Sequence, residues 1–231
     1  MKIVNISTRW IFILCLPVLL FTIGISSAVN FKWLYTYGFD KYDVSQATGL
    51  SQSELEKAAG GLIDYFNSAY SDINLTVKKD GETFELFNQR EIIHLRDVKD
   101  LFHMNYWILL GTLLHVLGYT AVMLIRRREN YRERLAQSFI YGSSITLGLL
   151  LVLGLGILLN FDNLFWQFHV FSFSNDFWQL NPARDYLIML FPGGFWYDAA
   201  LFCTSVTIIL SIITGGVAGG YMFFRKRVLA S

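Results

Sequence analysis

Residues 90–102, REIIHLRDVKDLF, place seven charged or titratable side chains directly before an apolar segment. On one helix Arg90, His94, Asp97 and Leu101 recur at spacings of four, three and four, and so share a face. A histidine with a carboxylate one turn away has what a general base needs: the imidazole titrates near neutrality, and the carboxylate can fix its tautomer. The plainer reading of the same residues is a run of charges marking where a helix meets a membrane. A second stretch, FHVFSFSNDFWQLNPARDYLIMLFP at 168–192, sets large aromatics among small polar groups: His169, Ser172, Ser174, Asn175, Asp176, Trp178, Asn181, Arg184 and Asp185. Two histidines on separate elements, each with carboxylates near, are expected to converge over one pocket. His103 falls on the opposite helix face from His94. His115, inside the apolar segment, is roughly 30 Å along the helix and reads as structural.

The elements that must position these residues follow from composition. The chain has 231 residues, 54% of them apolar and 16% aromatic, and a positive mean hydropathy, beyond what an ordinary globular domain carries. Residues 10–29, 106–125, 139–159 and 199–224 are each long and apolar enough to cross about 30 Å of hydrocarbon. The expected fold is an all-α integral membrane protein, a four-transmembrane-helix bundle with a small extracytoplasmic α+β cap. Ten Lys or Arg residues flank these spans on one side, at 1–9, 126–138 and 225–231, against two carboxylates, Glu129 and Glu133; the other side holds nine against sixteen. The basic side is expected to be cytoplasmic, with both termini there and residues 30–105 and 160–198 outside. The first span reads as a retained anchor rather than a cleaved signal, since its apolar run is longer than a signal core. Cys15 and Cys203 both lie in apolar helices, which argues against a disulfide and against thiol redox chemistry.

Within 30–105, the alternating aromatics Phe31, Trp33, Tyr35, Tyr37 and Phe39 read as anchors at headgroup depth. Ser51 and Ser53, each followed three residues later by Glu54 and Glu56, offer overlapping caps for a helix to about Asn67 with Leu55, Ala58, Ala59, Leu62, Ile63 and Phe66 on its apolar face. Strands at 73–77 and 83–87 around Asp80-Gly81 predict a hairpin. The membrane-approach helix starts near Gln89. Gly111 and Gly118, Gly142, Gly148, Gly154 and Gly156, and the overlapping GxxxG pairs Gly215, Gly216, Gly219 and Gly220 are expected to let helices pack closely. There is no phosphate-cradling glycine loop and no nucleic-acid-binding composition, so neither nucleotide nor nucleic acid is expected as a partner.

Taken together, the REIxHxxDVKxL-like run into the second span and the FHxxxFxNDxWxLxPxxDxLIxxFP-like loop before the fourth resemble the bacterial lipoprotein intramolecular transacylase family. The resemblance covers nearly the whole chain. It implies an enzyme that moves the sn-2 acyl chain of a diacylated lipoprotein's diacylglyceryl-cysteine onto the cysteine α-amino group, giving the lyso form, with membrane lipid around it and no cofactor. It places the functional histidines at His94 and His169. The chemistry is consistent: an amine with a pKa near 8 needs a base to attack an ester, and either histidine has the proton affinity. Arg90, Asn175 or a backbone N–H would donate to the oxyanion. Glu91, Asp97, Asp176, Trp178 and Asp185 are the supporting candidates. Two rivals differ in class. A metal site would use His94, Asp97 and His169, though no HExxH-type signature supports it and none is expected. A non-enzymatic sensor or accessory protein would bind a partner through its outer cap.

Overall fold

Ten elements follow along the chain: α1 (Lys2–Asn30), α2 (Lys32–Lys41), α3 (Val44–Thr48), α4 (Gln52–Asn67), β1 (Thr76–Lys79), β2 (Glu82–Glu85), α5 (Gln89–Ile125), α6 (Glu129–Ser172), α7 (Tyr186–Leu190) and α8 (Gly193–Ala230). The computed structural model describes residues 2–126 and 129–230, so Arg127 and Arg128 of the basic run lie outside the described residues. Among the described residues, four helical stretches are long and apolar enough to cross a membrane: Ser7–Asn30, Gln89–Ile125, Tyr131–Ser172 and Gly193–Val228. Only 17%, 17% and 11% of the apolar windows in the last three is buried against protein, as suits helices whose solvent is lipid. The chain is a multi-pass membrane protein, and among the described residues its regular elements are helices apart from the β1–β2 pair. It divides into two compact units, Met1–Ile25 with Asn105–Leu155 and Phe202–Ser231, and Ser26–Met104 with Gly156–Leu201.

In the first unit the core joins Phe12, Ile13 and Leu19 of α1, Val116, Tyr119 and Met123 of α5, and Leu135 of α6. The three α5 residues recur at helical spacing and form one stripe. The Phe12 ring lies 4.8 Å from Tyr119 and 5.0 Å from Phe139, between centroids. Close approach is concentrated at two glycines: a Cβ on Gly142 would meet Leu16 Cδ2 at 2.8 Å, and one on Gly24 would meet Thr207 Oγ1 at 2.7 Å. The packing role expected of Gly111 and Gly118 is not found, since among the described residues no heavy atom beyond the helix's own backbone and chain neighbours lies within 4 Å of the Cβ either would carry. The same holds for Gly148, Gly154, Gly216, Gly219 and Gly220, whereas Gly215 meets Ser143 at 3.0 Å. A small residue permits close packing without imposing it.

The second unit is built around α4. Ser51 caps it by accepting the Glu54 N–H at 3.4 Å, and Leu55, Ala58, Ala59, Leu62, Tyr65 and Phe66 are its buried face. Tyr65 thus takes the inward place expected of Ile63. Glu54 does not return to the cap: its Oε2 accepts the Lys78 N–H at 3.1 Å and ties α4 to β1. The strands pair antiparallel with Lys79 opposite Glu82, leaving Asp80 and Gly81 as a two-residue turn at φ +53° and +87°. Both positive angles are what a type I′ hairpin requires, and Asp-Gly supplies them at low cost. The strands are shorter than expected, four residues each.

The alternating aromatics at 31–39 are not all anchors. Helical geometry sends Tyr35 and Phe39, four apart, into the core, where they meet Phe191 at 5.8 and 5.9 Å. Trp33 and Tyr37, likewise four apart, stack at 5.0 Å on the exposed side. The end expected for the third span at Leu159 coincides with a kink and not with a loop. Asn160 leaves helical geometry at φ −160°, ψ 70°, and its side chain accepts the Asn163 N–H at 3.2 Å, starting a further helical segment that runs to Ser172. His169 is therefore helical, in the last turn of α6.

Candidate functional site

Everything at the site lies in the second unit, on the first turns of α5, the last turns of α6, and the 173–185 loop leading to α7. The start of α5 is fixed by a reciprocal cap. The Asn88 side chain accepts the backbone N–H groups of Arg90 and Glu91 at 3.0 and 3.2 Å, and Glu91 Oε2 accepts the Asn88 N–H at 2.8 Å. The other oxygen of Glu91 accepts the Leu187 N–H at 2.7 Å, so one carboxylate, 1% exposed, joins α5 to α7. Burial pushes its pKa up, and the N–H bonds from Leu187 and Asn88 pull it back. Asn88 Nδ2 also donates to Asp185 Oδ1 at 2.9 Å, while Asp185 Oδ2 accepts the Asn181 N–H at 2.7 Å. Glu91 and Asp185 are thus framework groups with their oxygens engaged. The signal for this in the sequence is Asn88-x-x-Glu91 at a helix start, a capping pattern.

Two further contacts hold the loop to α5. Asn175 Nδ2 donates to Asp97 Oδ2 at 2.8 Å, and Arg90 donates from Nη2 to the Asp176 carbonyl while its guanidinium lies 5.5 Å from the Phe177 ring centroid. The Asp176 side chain is exposed and accepts from Gln179 Nε2 at 3.3 Å. The expected support of His94 by Asp97 is not a direct hydrogen bond, because Asp97 holds the loop and His94 Nδ1 is buried without a hydrogen-bond partner among the described residues.

The two histidines do converge. Their ring centroids are 6.0 Å apart at 32°. Phe173 lies between the elements, edge-on to His94 at 5.0 Å and 5.5 Å from His169. Trp178 covers His169 at 5.0 Å, and Phe165, one turn back, meets it edge-on at 4.4 Å. His169 Nδ1 lies 2.7 Å from the Phe165 carbonyl oxygen. A carbonyl only accepts, so Nδ1 carries the proton and the Nε2 of the neutral ring carries the lone pair. Phe168 and Phe173 stand as fixed letters of the FHxxxFxND run, whereas Phe165 carries no signal of its own, since aromatic rings in a membrane-facing stretch are ordinary there.

At 1.5 Å per residue α5 is about 55 Å long against about 30 Å of hydrocarbon, and His94 sits in its charged second turn, outside the apolar run. With only 7% of its surface exposed, burial pushes the His94 imidazole down to about 4, reinforced by His169 and opposed by Asp97. Burial likewise lowers His169, with the Phe165 carbonyl pulling the other way. Such rings are neutral at physiological pH and able to accept a proton. Among the described residues no three His, Cys, Asp or Glu side chains gather as a metal site. His103 is elsewhere in the unit, with Nε2 3.0 Å from the Phe66 carbonyl of α4.

The model of the family described as "Lipoprotein intramolecular transacylase Lit" matches residues 10–196. An uncharacterised protein of Aquifex aeolicus (strain VF5) is 29% identical over 127 residues, 55% of this chain and 54% of that protein, so the chain spans about half the length of that relative. Among solved structures, the membrane integral lipoprotein intramolecular transacylase Lit from Bacillus cereus superposes with a TM-score of 0.79 at 20% identity, covering 100% of both chains. A form of that protein with one histidine changed to arginine gives 0.77 at 21% identity, covering 98% of this chain and 95% of that one. The form with the same histidine changed to alanine gives the same score and identity, over 98% and 97%. At these identities the solved structures establish the fold, and the family match over most of the sequence establishes kinship: the chain belongs to the lipoprotein intramolecular transacylase Lit family.

Proposed function

We propose that this protein is a membrane acyltransferase that moves the sn-2 acyl chain of a lipoprotein's diacylglyceryl-cysteine onto the α-amino group of the same cysteine. The observation that carries the reading is the histidine pair, drawn from two separate elements into one aromatic enclosure with ring centroids 6.0 Å apart. The amine nitrogen attacks the ester carbonyl, forming the C–N bond. One imidazole takes the amine proton, through Nε2 if it is His169, and a proton passes to the glyceryl oxygen as the C–O bond breaks. Atoms balance within the substrate, so no external acyl donor is required. Because ester and amine sit on one molecule, the main task is to hold them together, which effective molarity rewards. Two imidazoles this close disfavour each other's cations, so a proton gained by one is readily passed on.

The acyl chain finds an apolar wall in Phe161, Phe165 and Trp196, which stack at 5.5 and 5.6 Å on the side of α6 that carries His169. Asp97, Asn175 and Arg90 serve this site by fixing the loop that brings Trp178 and Phe173 to the histidines. The spans are residues 10–29, 106–125, 139–159 and 199–224, with both termini cytoplasmic and the histidines at the extracytoplasmic face, following the Lys and Arg distribution. Purified protein alone, given a synthetic diacylated lipopeptide, should acylate its N-terminus. A sensor or accessory protein would leave the lipopeptide unchanged.

A further inference from the structure

A cavity of about 360 Å³ opens beside the first turn of α5, lined by Asn88, Arg90, Arg184 and Asp185. Its charges are unevenly satisfied. Asp185 is 1% exposed, and its oxygens already accept from Asn88 Nδ2 and the Asn181 N–H. Arg184 reaches it at 3.5 Å from Nε, with 67% of the Arg184 side chain left in solvent. Arg90 spends Nη2 on the Asp176 carbonyl, but its Nε is buried with no hydrogen-bond partner among the described residues. Two guanidiniums therefore line a concavity whose one carboxylate is engaged, leaving a net positive wall on which the solvent-exposed Arg184 guanidinium is the accessible donor. The group such a wall recognises is a carboxylate, which guanidinium donors match in charge and geometry.

The position of the cavity says where that carboxylate comes from. Arg90 precedes His94 by one helical turn, about 6 Å along α5. An extended polypeptide covers that distance in about two residues. Resting on the acyl-transfer reading above, we propose that the cavity takes an acidic side chain of the substrate polypeptide, two or three residues after the modified cysteine. It makes the enzyme selective for the polypeptide as well as for the lipid.

The test compares synthetic diacylated lipopeptides, identical except for Glu or Lys at the second or the third residue after the cysteine, with purified protein in phosphatidylcholine nanodiscs. At one of the two positions kcat/KM should favour Glu by about threefold to tenfold, the scale of a partly exposed ion pair, and the difference should lie in KM. Arg184→Glu should bring the ratio to one or invert it, and Arg184→Gln should fall between. Each ratio is internal to one preparation, so a partly unfolded variant does not mask it. Equal values at both positions, or a Glu preference that survives Arg184→Glu, overturns the proposal. So does a rate blind to peptide charge that rises with phosphatidylglycerol in the nanodisc and loses that rise in Arg184→Glu, the mark of a lipid phosphate in the cavity. Absence of turnover on every lipopeptide is a failure of the acyl-transfer reading instead, and binding of the same pairs by thermophoresis then decides the cavity by the same ratio.

Discussion

Glu91 lies one turn from His94 in the charged run that opens α5, yet its two oxygens accept the N–H groups of Asn88 and Leu187. Replacing it should therefore damage the framework and spare the chemistry. In Glu91→Ala the Leu187 N–H, on a residue 7% exposed, is left without an acceptor, which costs about 1–3 kcal/mol. Loss of the reciprocal cap adds about 1 kcal/mol. The Asn88 N–H, on an exposed residue, recovers a water partner and adds little. The sum, about 2–4 kcal/mol, corresponds to a fall in Tm of roughly 5–15 °C for a chain of this size. Glu91→Gln keeps one acceptor oxygen and should lose about half as much. Tryptophan fluorescence during thermal unfolding in detergent measures the shift, and lipopeptide turnover well below the variant's Tm measures the chemistry. Turnover should stay within a few-fold of the parent. An unchanged Tm with turnover abolished would refute the reasoning and return Glu91 to the reaction.

His94→Ala and His169→Ala should each lower turnover by at least about a hundredfold with little change in melting, whereas His103→Ala and His115→Ala should keep most activity; assays on detergent-purified variants check this. Because burial holds His94 down at about 4, its neutral form persists throughout pH 5–8, and the pH profile of kcat/KM should climb with deprotonation of the substrate amine toward about 8. An acid limb centred near 6.5 would show an exposed, freely titrating histidine instead. With Cys15 and Cys203 replaced by alanine, a thiol reagent that does not cross membranes should label Glu82→Cys in intact cells and Arg132→Cys only after lysis; the reverse pattern would invert the topology.

The parts of this fold legible in the sequence are those set by local chemistry or by gross hydrophobicity. Asp80-Gly81 announced its turn because few other residue pairs accept two positive φ angles. The four apolar runs announced their helices by length alone. Aromatic alternation at 31–39 misled, since a period of two has no meaning on a helix: the faces were sorted by packing, with Tyr35 and Phe39 drawn inward and Trp33 and Tyr37 left out. Asn160 misled in a related way. A polar residue ending an apolar run resembles a helix stop, but here its side chain restarts the helix that carries His169.

In the site, the residue types were legible and the division of labour was not. The two long motifs drew the eye to His94 and His169, which the fold brings to 6.0 Å. Nothing local could show that Asp97 turns to Asn175 and not to His94, because that choice depends on a loop 78 residues away in sequence. The ring of Phe165 was hidden in a composition already rich in aromatics, and only its arrangement against the His169 imidazole gives it a place in the site.

Acyl transfer inside one substrate can be read by intact mass spectrometry of a diacylated lipopeptide incubated with the purified protein in a synthetic bilayer. The expected product has an unchanged total mass, with fragmentation showing one acyl group on the cysteine nitrogen and one left on the glyceryl. A product heavier by one acyl group, or a lipopeptide recovered unaltered from protein that is folded, would contradict it.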